Sequence, residues 1–232
     1  MDSIVDSIRK SFSPVRHEGL PFIVLAGLAA ILLGALWSPF FWVGAIATGW
    51  IAYFFRDPPR VSPQDSNLVL SPADGVVASV TRAQPPIELG LGLEALPRVS
   101  IYMDVFDCHV NRAPVTGRVS RVAYRQGKFV NADLDKASEQ NERNCIVIDG
   151  PHGPVGVVQI AGLVARRILC WTSEGEELAA GQRFGMIRFG SRLDVYLPKQ
   201  ATITVNEGQT MLAGESTIAW FGGSAGWRVR ID

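Results

Sequence analysis

In "MIRFGSRLDVYLP", Met186 to Pro198, side chains alternate with period two. Ile187, Phe189, Ser191, Leu193, Val195 and Leu197 fall on one face, and Arg188, Gly190, Arg192, Asp194 and Tyr196 on the other. This is the pattern of a half-buried strand, because successive Cβ atoms of a pleated chain point to opposite sides. Ser191 replaces an apolar residue on the face expected to be buried. It also follows a glycine, which weakens a strand interior and permits close backbone approach. Two readings fit this stretch alone: a serine hydrogen-bonded in a core beside a β-bulge, or a serine placed there for chemistry.

The same texture extends outward. "LVLSPADGVVASV", "RVSIYMDVF", "APVTGRVSRVAYRQG", "NCIVIDGPHGPVGVVQIAG", "ATITVNEGQTMLAGESTIAWF" and "GWRVRID" are short alternating segments separated by turn signals such as Asp149-Gly150 and Glu207-Gly208. They predict a mainly β domain of compact hairpins, sandwich- or barrel-like. "LVARRILCWT" reads as a short helix or a further strand, and "DLDKASEQNERN" as a polar, helix-prone excursion from the sheets. "AQPPIELGLGLEALP", Ala83 to Pro97, is a Pro/Gly-rich loop whose leucine tip either packs on the domain or dips into lipid.

The N-terminal quarter is different. No charged residue occurs from Leu20 to Phe55, and as one helix that run would extend about 54 Å, far beyond a hydrocarbon core of about 30 Å. Division at Ser38-Pro39 gives two apolar halves of near-spanning length, hence a helical hairpin that crosses twice or enters and returns. Arg9, Lys10 and Arg16 before it and Arg56 and Arg60 after it place both ends on the cytoplasmic face of the cell membrane. Trp37, Phe40, Phe41 and Trp42 belong at the far interface. Residues 1–19, with Ile4, Val5, Ile8 and Phe12 at helical spacing, read as an amphipathic membrane-surface segment. The expected organisation is therefore 1–19, a membrane hairpin over 20–55 and a β-rich catalytic domain over 56–232.

Across 232 residues, 22 basic and 22 acidic side chains cancel, so nothing in the charge points to nucleic acid. The three cysteines, Cys108, Cys145 and Cys170, lack disulfide or zinc spacing and suit a reducing compartment as small buried apolar groups. No metal site is expected. Candidate chemistry resides in Asp74 of "SPADG", Asp107 and His109 of "VFDCHVNRAP", and Ser191 of "RFGSR", since an acid, a histidine and a serine can form an orienting acid, base and nucleophile. Each also has a plain reading: Asp74 as a turn residue, His109 as a core histidine.

"FRDPPR", "SPADG", "VFDCHVNRAPV", "KASEQNERN", "QIAGLVARRI" and "RFGSRLDVYLP", in this order from about Phe54 to the C-terminus, resemble the short form of phosphatidylserine decarboxylase proenzymes. The resemblance implies self-cleavage between Gly190 and Ser191, giving a β chain 1–190 and an α chain 191–232 that stay associated. Ser191 would survive as a covalent pyruvoyl group, the only cofactor, which captures phosphatidylserine as a Schiff base and releases phosphatidylethanolamine. The resemblance further implies His109 as base or acid, with Asp74 and Asp107 as orienting acids. One departure is visible: longer relatives carry two histidines three residues apart, and here the second position is Arg112. His109 would then serve both cutting and decarboxylation. Arg166, Arg167, Arg188 and Arg192 are candidate partners for the headgroup oxyanions, and whether the protein is a homo-oligomer stays open. Rival classes are a soluble pyruvoyl-dependent decarboxylase, which needs no hairpin, and a membrane serine hydrolase, whose usual GxSxG elbow is missing. A third is a carrier acylated on Lys136 of "LDKAS". The further Gly-Ser pair, Gly223-Ser224, reads as a turn.

Overall fold

The computed structural model describes residues 13–127, 141–162, 167–188 and 191–222. Residues 1–12 of the amphipathic segment, Lys136, Arg166, Phe189, Gly190 and the Gly223-Ser224 pair lie outside them. Two compact units are distinguished, Met1–Pro59 and Arg60–Asp232.

The first unit is a helical hairpin of α1 (Leu20–Leu36) and α2 (Ser38–Phe54). The chain reverses at Trp37, which is extended at φ −161°, ψ 122°. Pro39 then sits in the first turn of α2, where its missing N–H leaves no bond unmade. Small residues let the helices meet: a Cβ on Gly44 would overlap the Ala30 methyl. The outward surface is apolar, with Leu32 68% and Ile46 73% exposed. His17–Leu36 has a hydropathy of 2.4, long and apolar enough to cross a bilayer. The open end is tied shut by backbone bonds, from Arg16 N–H to Phe55 O at 2.9 Å and from Asp57 N–H to Pro14 O at 2.7 Å. Arg16, Arg56 and Asp57 therefore gather at one end. Trp37 and Phe40, edge to face at 5.0 Å, occupy the other.

The second unit is mainly β, as the alternating segments predict. Its strands are β1 (Leu68–Leu70), β2 (Gly75–Ala83), β3 (Leu96–Met103), β4 (Val110–Arg112), β5 (Gly117–Arg125), β6 (Arg143–Gly150), β7 (Gly153–Ala161), β8 (Ile168–Cys170), β9 (Glu177–Leu178), β10 (Arg183–Ile187), β11 (Ser191–Tyr196), β12 (Thr202–Ile203), β13 (Thr210–Met211) and β14 (Thr217–Trp220). An eight-stranded sheet runs β13-β2-β3-β11-β7-β6-β5-β9, and two three-stranded sheets run β1-β14-β12 and β4-β10-β8. Each pairing is antiparallel.

One core joins the three sheets. It takes Val99, Ile101 and Met103 from β3, Leu193 and Val195 from β11, Val157 and Ala161 from β7, Ile146 and Ile148 from β6, Ile187 from β10 and Ile218 from β14. A smaller cluster covers the other face of the large sheet: Leu89, Cys145, Val147, Val158, Ile160 and Tyr196. Burial pushes the Cys145 thiol up to about 12, which makes it an inert apolar group. Leu89 is the buried end of the leucine loop, while Leu93, 73% exposed, is its free end. Glu88 clamps that loop to the sheet through Arg143 at 2.7 and 2.9 Å and Arg125 at 3.0 Å.

Three sequence expectations need correction. Met186 to Pro198 is not one strand: β10 and β11 belong to different sheets, and the chain changes sheet between them. Nor is the polar face of β11 solvated. Arg192 and Asp194 are 3% and 1% exposed, because the second cluster and its loop cover that side, and they form an ion pair in which Arg192 Nη2 donates to Asp194 Oδ2 at 3.1 Å. The described end of the helix-prone segment is extended, since Arg143 and Asn144 open β6, and "ILC" resolves to strand β8.

Candidate active site

Strand pairing places Ser191 and the turn of Asp74 at one end of the large sheet, and the β3–β4 connection sets His109 against β10 of a neighbouring sheet. Ser191 opens β11 and lies opposite Met103 of β3 on one side and Ala161 of β7 on the other. Beyond Met103 comes Gly75, the first residue of β2, with φ 136°. A Cβ there would run into the Tyr102 carbonyl oxygen, so only glycine lets the two strands close at this point. Asp74 immediately precedes it. The preceding turn is bound to β4, since Arg112 N–H donates to Pro72 O at 2.9 Å. The β3–β4 connection then carries His109 to the flank of β10, where its carbonyl accepts the Ile187 N–H at 3.3 Å.

The side chains are closed off from water. Ser191 and His109 are fully buried and Asp74 is 6% exposed. Among the described residues the Ser191 hydroxyl has no hydrogen-bond partner, a condition that costs about 1–3 kcal/mol. The first sequence reading, a serine satisfied within the core, thus finds no partner for the hydroxyl among the described residues. His109 Nδ1 lies 3.1 Å from the Asp107 carbonyl oxygen. A carbonyl can only accept, so Nδ1 carries a proton in this contact, and Nε2 is the nitrogen that would act as base whenever the ring is uncharged. Asp107 thus reaches the ring through its backbone. Its carboxylate accepts the Asp104 N–H at 2.7 Å and stiffens the turn before the histidine. Asp74 accepts the Ala213 N–H at 2.7 Å and Arg60 at 2.6 Å. Arg112, at the position of the second histidine in longer relatives, donates to the Gly181 carbonyl at 3.0 Å.

Beside Ser191 runs a feature the sequence reading passed over. Asn144 Nδ2 donates to Gln159 Oε1 at 2.8 Å, and Gln159 Nε2 donates to Asn111 Oδ1 at 2.7 Å. Asn111 Nδ2 then faces only the Met103 sulfur, at 3.9 Å. All three amides are at most 2% exposed. The available signal was the one that exposed Ser191: Gln159 and Asn144 occupy inward positions of otherwise apolar strands.

The phosphatidylserine decarboxylase family pattern matches residues 47–219, more than half of the chain and all of the residues just described. The chain belongs to the phosphatidylserine decarboxylase family. It is a decarboxylase of phospholipid biosynthesis, and the family's reaction converts phosphatidylserine to phosphatidylethanolamine. Within this phosphatidylserine decarboxylase, Arg192 points away from Ser191, on the opposite face of β11 and bound to Asp194. That leaves Arg167 and Arg188 as the described headgroup candidates. They are neighbours, the Arg188 N–H donating to Arg167 O at 3.2 Å.

Proposed function

We propose that this decarboxylase generates its own catalytic group by cutting the Gly190–Ser191 bond. Ser191 Oγ attacks the preceding carbonyl carbon, the C–N bond breaks and an ester forms. Loss of the Ser191 Cα proton expels the residue-190 carboxylate by β-elimination. Water then displaces nitrogen from the new terminus as ammonia, leaving a pyruvoyl group on residue 191. The observation that supports this reading is the Ser191 hydroxyl itself, wholly buried and unbonded on the inward face. A group kept in so costly a state, with water excluded from a hydrolysable ester, fits a nucleophile better than a structural serine. The residues present also fit the finished group, which is small, apolar at its methyl and flanked by Met103 and Ala161.

Once formed, that group would supply a ketone able to condense with the amine of phosphatidylserine and to act as the electron sink for decarboxylation. The protein supplies the rest. His109 Nε2 takes the Ser191 proton during cutting and returns a proton to the substrate α-carbon in turnover, its ring oriented through the Asp107 carbonyl. Asp74, fixed by Arg60 and Ala213, completes the acid side of the site. Arg167 and Arg188 hold the phosphodiester. The apolar hairpin holds the enzyme at the cytoplasmic face of the cell membrane, where a two-tailed substrate resides, and the two chains remain associated after cutting.

Ser191→Ala tests the reading directly. The variant should migrate as one full-length band under denaturing conditions and release no carbon dioxide from phosphatidylserine. Wild-type fragments, or activity, from that variant would refute self-processing at this bond.

A further inference from the structure

The amide chain beside Ser191 has a direction. Asn144 donates to Gln159, which donates to Asn111, so each oxygen is consumed and each amide plane is fixed by its neighbour. The last member, Asn111 Nδ2, carries two hydrogens and among the described residues has only a thioether within reach, at 3.9 Å. Sulfur is a weak acceptor. An amide that is fully buried with a donor left over is as unusual as a buried hydroxyl without a partner. Here the two occur together, because the sulfur belongs to Met103, the cross-strand neighbour of Ser191. The inward face of the large sheet is apolar along β3, β11, β7 and β6 except at this end, where Ser191, Gln159 and Asn144 replace aliphatic residues.

We propose that Asn111 Nδ2 binds the carboxylate of the serine headgroup. This rests on Ser191 being the origin of the group that captures the substrate. A serine headgroup attached at its amine carries its carboxylate one bond from the reacting α-carbon, so a carboxylate donor has to sit next to residue 191. The neutral amide suits the task. An arginine would hold the carboxylate charge most strongly in the ground state and lose that attraction as carbon dioxide departs, which raises the barrier. A fixed amide orients the leaving group while giving up far less. Its polarity is set from behind, since Gln159 occupies Oδ1 and leaves the donor side towards Met103, the cross-strand neighbour of Ser191.

The test separates carboxylate recognition from folding and from cutting. Asn111→Asp keeps the shape but replaces the donor with an acceptor. It should raise the KM for dihexanoyl phosphatidylserine by about tenfold or more. Inhibition by dihexanoyl phosphatidylethanolamine, which has no carboxylate, should stay within about twofold of wild type. Gln159→Glu provides a second route. It still accepts from Asn144, but it forces the Asn111 amide to turn and present its oxygen, so it should show the same selective loss. An unchanged KM in either variant overturns the proposal, as does equal weakening towards both lipids. Failure of both variants to be cut also overturns it, because the amide would then serve the cleavage and not the carboxylate. Failure of the underlying reading looks different: wild-type enzyme would be active as an unbroken chain.

Discussion

Ser191 and His109 show how far single residues can be read. A hydroxyl in an apolar row after a glycine is conspicuous in the sequence, and in the structure it is buried without a partner among the described residues. His109 was isolated only as the one histidine well placed in the β-rich segments. Its basic nitrogen becomes assignable once Nδ1 is seen on the Asp107 carbonyl. His109→Ala should therefore slow fragment appearance by at least about 10²-fold in a denaturing-gel time course, and wild-type cutting kinetics would remove it from the base role. The Arg60–Asp74 bond was not legible. Arg60 read as a charge at the membrane side, and nothing periodic links it to a turn residue 14 positions on. Gln159 and Asn144 were legible in principle, but a lone amide in a strand stands out less than a Gly-Ser pair.

At the scale of elements, periodicity predicted strands and failed at their ends. Alternation continues through Met186 to Pro198 without a break in phase, so nothing in the pattern marks the change of sheet between β10 and β11. That information lies in pairings with β4, β8, β3 and β7, all distant in sequence. The helical hairpin was simpler, since an uncharged run and one proline suffice. The leucine loop was undecided for a physical reason: Glu88, which clamps it, finds Arg143 only after folding. Burial raises the Glu88 carboxyl, but hydrogen bonds from Arg143 and Arg125 outweigh this, and its pKa lies below the usual carboxylate range. The sign follows. This stabilisation is complete above the unfolded value of about 4.3 and disappears as pH falls through the lower folded value. Glu88→Gln should cost about 1–3 kcal/mol at pH 7, and its deficit should shrink as pH drops below about 4. Urea titrations of both proteins at pH 7 and pH 3 check this, and a deficit independent of pH would contradict it.

For the whole molecule, the sequence conveyed class but not topology. "Mainly β with an apolar hairpin" follows from patterning, whereas the placement of β11 between β3 and β7 follows from long-range pairing that patterning does not encode. The placement bears on how the protein would behave after the proposed cut. Residues 191–222 supply β11 at the centre of the large sheet, β13 at its edge, and β12 and β14 of a second sheet. The two fragments should co-elute in native size-exclusion chromatography and separate only in denaturant, and free separation in buffer would contradict the pairing described.

The central position of β11 also has a thermodynamic consequence. In the uncut protein that strand is inserted by a chain tethered on both sides. The proposed cut at Gly190–Ser191 would remove its upstream connection, and a short fragment would then have to find the gap between β3 and β7 as an intermolecular event. Under the proposed cut, the mature enzyme would be a trapped product of its precursor's folding, its durability set by the height of an unfolding barrier and not by an equilibrium. Calorimetric scans of mature enzyme should be irreversible with a scan-rate-dependent midpoint, and full recovery on rescanning would show that the severed strand can find its way back.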